Sequence, residues 1–312
     1  MRARRSPRRG PAGALPAAGL WLAAAGALAA CGGPAPSAPA PPPSVDADTE
    51  GQRLEDAASN RPRRIVSLDY CADQYVLKLA DREDILAVSP DAVKEFSYMR
   101  AGAAGVPSVR PLAEDVLILK PDLVVRSYGG GPNAAAFFER AGVPVLQVGW
   151  ASNVDSEAMG SIPSLIRHMA DGLGRPERGD ALIGEFRARL AALRRREDGR
   201  TALYMTPAGV TTGPGSLVHE MLVAAGLANF QEAPGWRSLP LEQLAYRQPD
   251  LVAAAFFETL TSHPDAWSAS RHPVARAQLA GPDTVALQGA WTACGGWFLM
   301  DAVEALAEGG TR

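Results

Sequence analysis

Two glutamates hold matched places in a passage that the chain writes twice. Glu114-Asp-Val-Leu-Ile-Leu-Lys-Pro-Asp-Leu-Val-Val125 returns about 128 positions later as Glu242-Gln-Leu-Ala-Tyr-Arg-Gln-Pro-Asp-Leu-Val-Ala253, and each Glu stands seven residues before the proline. Each copy reads as a short amphipathic helix, a proline stop and a buried strand opening on Leu-Val. Two equivalent carboxylates on two similar units suit recognition by a symmetric partner. They do not by themselves suit catalysis.

Other chemistry fails on spacing. A hydrolase elbow needs Gly-x-Ser-x-Gly, which Gly213-Pro-Gly-Ser-Leu217 does not supply, so Ser216 is expected to cap a helix. Val218 occupies the place of the third glycine in a dinucleotide fingerprint. Gly129-Gly-Gly131 opens backbone amides without the Lys-Ser/Thr that a phosphate cradle requires. The histidines His168, His219, His263 and His272 lack paired metal-ligand spacing, so neither a protein-bound metal nor a cofactor is expected. Asp69, Asp73, Glu95 and His219 are the only loose acid–base candidates, and the chain is not expected to be an enzyme.

Aromatic placement is more informative. Tyr70, Tyr98, Tyr128, Trp150, Trp236, Phe257, Trp291 and Trp297 mostly stand in loops just after predicted strands, although aromatics make up only 6% of the chain. Strand ends of open α/β sheets line the ligand crevice, so these rings are read as two walls around a flat, partly apolar ligand. Cys71 and Cys294 also follow predicted strand ends, in opposite halves. They are read either as a disulfide or as free thiols near the ligand.

The elements that must position these residues alternate as strand and helix. Strands are predicted at Ile65–Leu68, Ile85–Val88, Leu123–Val125 and Val143–Val148, with helices between them. From about Ser161 to Arg196 the apolar spacing is helical and no strand signal occurs; Gly172 and Gly174-Arg-Pro176 divide it into one bent or two consecutive helices. Strand, loop and helix resume with Ala202–Met205, a Thr206–Gly215 loop, a Ser216–Ala225 helix, the Glu242 unit, Val285–Leu287 and a closing helix near Gly296–Ala307. The fold class is α/β: a lobe at 61–155, a linker helix region at 156–198 and a second lobe at 199–312.

The first sixty residues stand apart. Five arginines within Met1–Arg9 precede an uncharged run to Ala30, which describes an export signal over 1–30. The ending Leu28-Ala-Ala-Cys31 resembles a bacterial lipoprotein box, which implies lipid on Cys31 and a membrane anchor; a single membrane span is the alternative. Residues 31–60 are rich in Pro, Ala, Gly and Ser and read as a disordered tether. Without the leader, 26 basic residues face 34 acidic ones, a net charge of −8 that argues against nucleic acid as a partner.

Arg64-Ile-Val-Ser-Leu68, Cys71-Ala-Asp-Gln74, Leu119-Lys-Pro-Asp-Leu-Val-Val125, Ala141-Gly-Val-Pro-Val145, Leu222 to Gly226 and Trp291-Thr-Ala-Cys-Gly-Gly296 resemble one family over about Arg63 to Ala307. It is the class III substrate-binding proteins of ABC importers for vitamin B12, siderophores and haem. The resemblance implies two Rossmann-like lobes joined by a long linker helix, a metal–organic ligand between them, and a monomer that delivers it to a permease and ATPase complex. It implies that Glu114 and Glu242 dock against permease arginines. For anionic siderophores Arg100, Arg126 and Arg237 are the candidates; for haem, an axial Tyr70 or Tyr204. A cell-surface enzyme, or a sensor or adhesin using the same cleft, is the alternative.

Overall fold

The computed structural model describes residues 61–149, 158–194, 197–255, 268–280 and 283–309. The expected leader, the tether, Cys31, Trp150 and Phe257 lie outside the described residues.

The first half is built on strand β1 (Ile65–Ser67), whose three residues are all buried. Its neighbours are β2 (Ile85–Ala87) on one side and β3 (Leu123–Arg126), then β4 (Val145–Gln147), on the other. All pairings are parallel, which is why the strands read as continuous apolar runs rather than alternating ones. Helix α1 (Tyr70–Leu79) buries Ala72, Tyr75, Val76 and Leu79, a stripe at helical spacing, against one face of the sheet. Helices α2 (Ala113–Ile118) and α3 (Ala134–Arg140) cover the other face through Val116, Ala134 and Phe138.

The connector is helical and consists of two helices, α4 (Ala158–Gly172) and α5 (Pro176–Ala192). Gly174 takes a positive φ of 66° and Pro176 opens α5, so the chain reverses here rather than running on as one rod. The two helices pack closely: a Cβ on Gly179 would collide with that of Ala170, and Arg167 pairs with Asp180 across the turn. Arg175, buried at the turn, donates to Asp81 at 2.6 Å and Asp84 at 2.7 Å, anchoring the hairpin to the first half.

The second half repeats the first. Strands β5 (Thr201–Met205) and β6 (Val210–Thr212) precede α6 (Leu217–Ala224), β7 (Ala228–Asn229), β8 (Trp236–Ser238), α7 (Leu241–Tyr246) and β9 (Leu251–Ala254). Helix α8 (Pro273–Leu279), β10 (Thr284–Ala286), α9 (Gly289–Thr292) and α10 (Leu299–Glu308) complete it. The sheet order β7-β5-β9-β10 is that of β2-β1-β3-β4, again all parallel. The duplicated Pro-Asp explains itself here. Asp122 accepts the backbone N–H groups of Arg63 and Arg64, and Asp250 accepts that of Thr201, so each aspartate pins the start of its half's first strand.

One expectation needs correction. The Thr206–Gly215 loop contains β6, which pairs antiparallel with β8 as a separate two-stranded ribbon. All of β8 is exposed, so it carries no alternation from which a strand could be read. A single core of α1, α4, α5, α6 and α10 residues joins the inner faces of both sheets.

Candidate ligand-binding site

At the carboxyl ends of β1 and β3 one buried carboxylate organises the chain. Asp69 Oδ1 caps α1 by accepting the Ala72 N–H at 3.0 Å. Its Oδ2 accepts the N–H groups of Ser127, Tyr128 and Gly129 at 2.7, 3.0 and 2.8 Å. A side chain at Gly129 would strike the Leu68 carbonyl oxygen, so this turn needs glycine. Arg126 closes the turn from beneath, donating to the carbonyls of Gly129 and Gly131 and to Gln147 Oε1. The turn that carries Tyr128 is therefore rigid.

The next turn of α1 repeats the device. Asp73 accepts the N–H and hydroxyl of Ser89 at 3.1 and 2.6 Å, and burial pushes its carboxyl up to about 6. Gln74 donates to Ser97 Oγ and accepts the Met99 N–H. Three side chains of one helix start thus hold the loops that follow β2 and β3. Asp69 and Asp73, loose acid–base candidates by sequence, are tied up as loop anchors. Glu95 is exposed, and His219 lies 3.2 Å from the amide of Asn229, so the four do not converge.

Tyr70 and Tyr128 meet at this edge, ring centroids 5.8 Å apart and edge to face, and Phe96 meets Tyr70 edge-on at 4.9 Å. Tyr128 is 45% exposed, Tyr70 half-buried. Burial raises the Tyr70 phenol above its usual range. Burial first, then the Tyr70 phenol and the Asp69 and Asp91 carboxylates, raises Tyr128 as well. Both are neutral phenols at physiological pH. Phe96 carries no signal in the sequence, because it stands well beyond the end of β2 in a turn-rich stretch with no regular apolar spacing.

The other aromatic candidates divide. Trp236, on β8, is 61% exposed and meets Tyr204 edge-on at 6.2 Å. Trp291, on α9, is half-buried against the shared core. Trp297 does not present a wall: it is 5% exposed, boxed in by Tyr75, Tyr98 and Phe298. Tyr98 stacks on Phe298 at 5.1 Å, and burial followed by the Asp301 carboxylate pushes its phenol up to about 12. These two rings cement the halves instead of lining an opening. Tyr204 is buried and unsuited to reach a metal, and Arg126 is consumed by its own turn. Arg100 and Arg237 remain exposed. Among the described residues no group of His, Cys, Asp and Glu could hold a metal ion.

Beside Tyr70 the halves are joined covalently. Cys71 and Cys294 form a disulfide with Cα atoms 5.6 Å apart, linking α1 to the segment between α9 and α10. Tyr70 Oη donates to the Ala293 carbonyl at 3.3 Å and Tyr75 Oη to that of Gly295 at 3.0 Å. Residues 293–298 therefore lie clamped on the first half.

Glu114 and Glu242 are far from this chemistry in kind. Each is the second residue of a six-residue helix, exposed, with the residue two places on (Val116 or Leu244) buried in its own half.

The profile of the periplasmic binding protein family matches residues 65–266. No curated protein matches the chain. Among solved structures, a periplasmic heme-binding protein from Roseiflexus sp. RS-1 is 24% identical, with 79% of this chain and 98% of that one covered and a TM-score of 0.59. A periplasmic heme-binding protein from Pseudomonas aeruginosa is 23% identical, covering 79% and 91%, with a TM-score of 0.58. The periplasmic vitamin B12-binding protein of Vibrio cholerae is 21% identical, covering 79% and 96%, with a TM-score of 0.55. At these identities the likeness establishes the fold.

Proposed function

Because this chain belongs to the periplasmic binding protein family, we propose that it captures a metal–organic ligand between two lobes and delivers it to the permease of an ABC importer. The ligand class is haem, a corrinoid or a ferric siderophore. The lobes are taken as 61–155 and 199–312, with 156–198 as the connector. A leader over 1–30 and a tether over 31–60 would export the chain and anchor it through lipid on Cys31. The anchored chain works as a monomer without a cofactor, its metal arriving as cargo within the ligand.

The observation that carries this reading is the Asp69-locked turn. It spends one buried carboxylate and three amides on holding Tyr128 beside Tyr70 at a sheet's carboxyl edge, where such folds bind ligands. A neutral, immobile aromatic edge suits a flat conjugated or macrocyclic face. Trp236 and Trp291 are its counterparts from the second half. A catalytic reading has no comparable support: Asp69 and Asp73 anchor loops, His219 meets Asn229, and Glu95 stands exposed.

Tryptophan fluorescence, titrated with haemin, cobalamin and ferric siderophores, tests this. One compound is expected to change the emission to saturation at one molecule per chain. Tyr128→Ala should weaken that compound roughly 3- to 10-fold, the worth of one aromatic contact. No response to any member of the panel would overturn the ligand class.

A further inference from the structure

Eight large hydrophobic side chains are strongly exposed among the described residues, and the two most exposed are Tyr246 at 94% and Ile118 at 76%. They occupy the same place in the duplicated passage, each four residues after its glutamate. Ile118 ends α2 and Tyr246 ends α7. Residues four apart share a helix face, so Glu114 and Ile118 stand side by side, as do Glu242 and Tyr246. Val116 and Leu244 are buried in the outer cores of their halves, which fixes the rotation of both helices and turns each acidic–apolar pair outward. A lone exposed hydrophobic needs no explanation. That the two most exposed large hydrophobics among the described residues fall at equivalent positions, each beside the repeated carboxylate, does.

Resting on the importer reading above, we propose that Ile118 and Tyr246 form the apolar half of two docking contacts. The partner is a pair of like permease subunits, each offering a cationic side chain next to an apolar hollow. Two equivalent patches match two equivalent subunits. The carboxylates decide against the other occupants: an anionic lipid surface would repel them, and so would the same patches on a second copy of this chain. The isoleucine and the tyrosine share bulk and apolarity rather than any hydrogen-bonding group, so the contact is one of burial. The charge orients the partner and the apolar group holds it.

The test measures binding of the mature chain to the permease–ATPase complex in lipid nanodiscs, for wild type, Ile118→Ser with Tyr246→Ser, and Glu114→Lys with Glu242→Lys. Each apolar substitution is expected to weaken binding roughly tenfold, the loss of one buried side chain. Melting temperature and ligand affinity should hold, because both side chains are free of the core. If the serine variant binds within about twofold of wild type while the lysine variant fails, this proposal is wrong and the importer reading stands. If both variants bind as wild type, the docking part of the importer reading falls too. Equal binding of the wild type to protein-free nanodiscs, or dimerisation that the serine variant abolishes, would reassign the patches to lipid or to self-association and also overturn it.

Discussion

Reversing both repeated carboxylates, Glu114→Lys with Glu242→Lys, is expected to abolish ligand delivery in cells while capture of the ligand continues unchanged. Both side chains are exposed on short outward helices and neither takes part in the packing of its half. An exposed ion pair contributes under ~1 kcal/mol, so a single Glu→Ala change should cost delivery only about fivefold or less. Reversal is different, because it replaces an attraction by a like-charge contact costing several kcal/mol. Two such contacts predict a loss of at least about a hundredfold. Uptake of the ligand is measured beside the fluorescence titration. Uptake that survives with the titration unchanged would remove the docking role from both residues.

Opening the Cys71–Cys294 disulfide is the other large effect. The bond closes a loop of 223 residues and joins elements of opposite halves. Chain entropy puts its loss near ~5 kcal/mol. For a folded part of this size, that corresponds to a fall in melting temperature of more than ~10 °C. The Tyr70 and Tyr75 hydroxyls would still hold residues 293–295, so the fold should persist at low temperature. Their reach is also why the halves are expected to move little against each other on binding: the tie and the clamp sit beside the aromatic edge. Thermal melts of the wild type with and without reductant, and of Cys71→Ala with Cys294→Ala, measure this. Unchanged melting in all three would show that the bond contributes nothing to the folded state.

Much of the architecture could be read directly because the chain repeats itself. The duplicated Pro-Asp-Leu-Val marks the third strand of each half's parallel sheet, and the two sheets share one strand order. Ser216 caps α6 as expected, accepting the His219 N–H at 3.1 Å. The site was legible in part. Tyr70 and Tyr128 follow strands that end side by side, so reading them as strand-end residues places them on one edge. Tyr98 and Trp297 also follow that rule in sequence, yet they bury each other across the halves. Their fate depends on Phe298, two hundred residues from Tyr98, and no local pattern reports such a contact. Arg126 shows the same limit: its charge is visible in the sequence, but the two glycine carbonyls that claim it depend on the backbone path of the following turn. The β6–β8 ribbon escaped because its strands pair only with each other and bury no common face.

Hydrogen exchange of the protein, with and without the ligand found by titration, tests most directly that one guest touches both halves. Slower exchange is expected in two places at once: the turn at residues 127–131, and the segments 236–238 and 289–296. Slowing confined to one half, or found only away from these segments, would contradict capture between the two sheet edges.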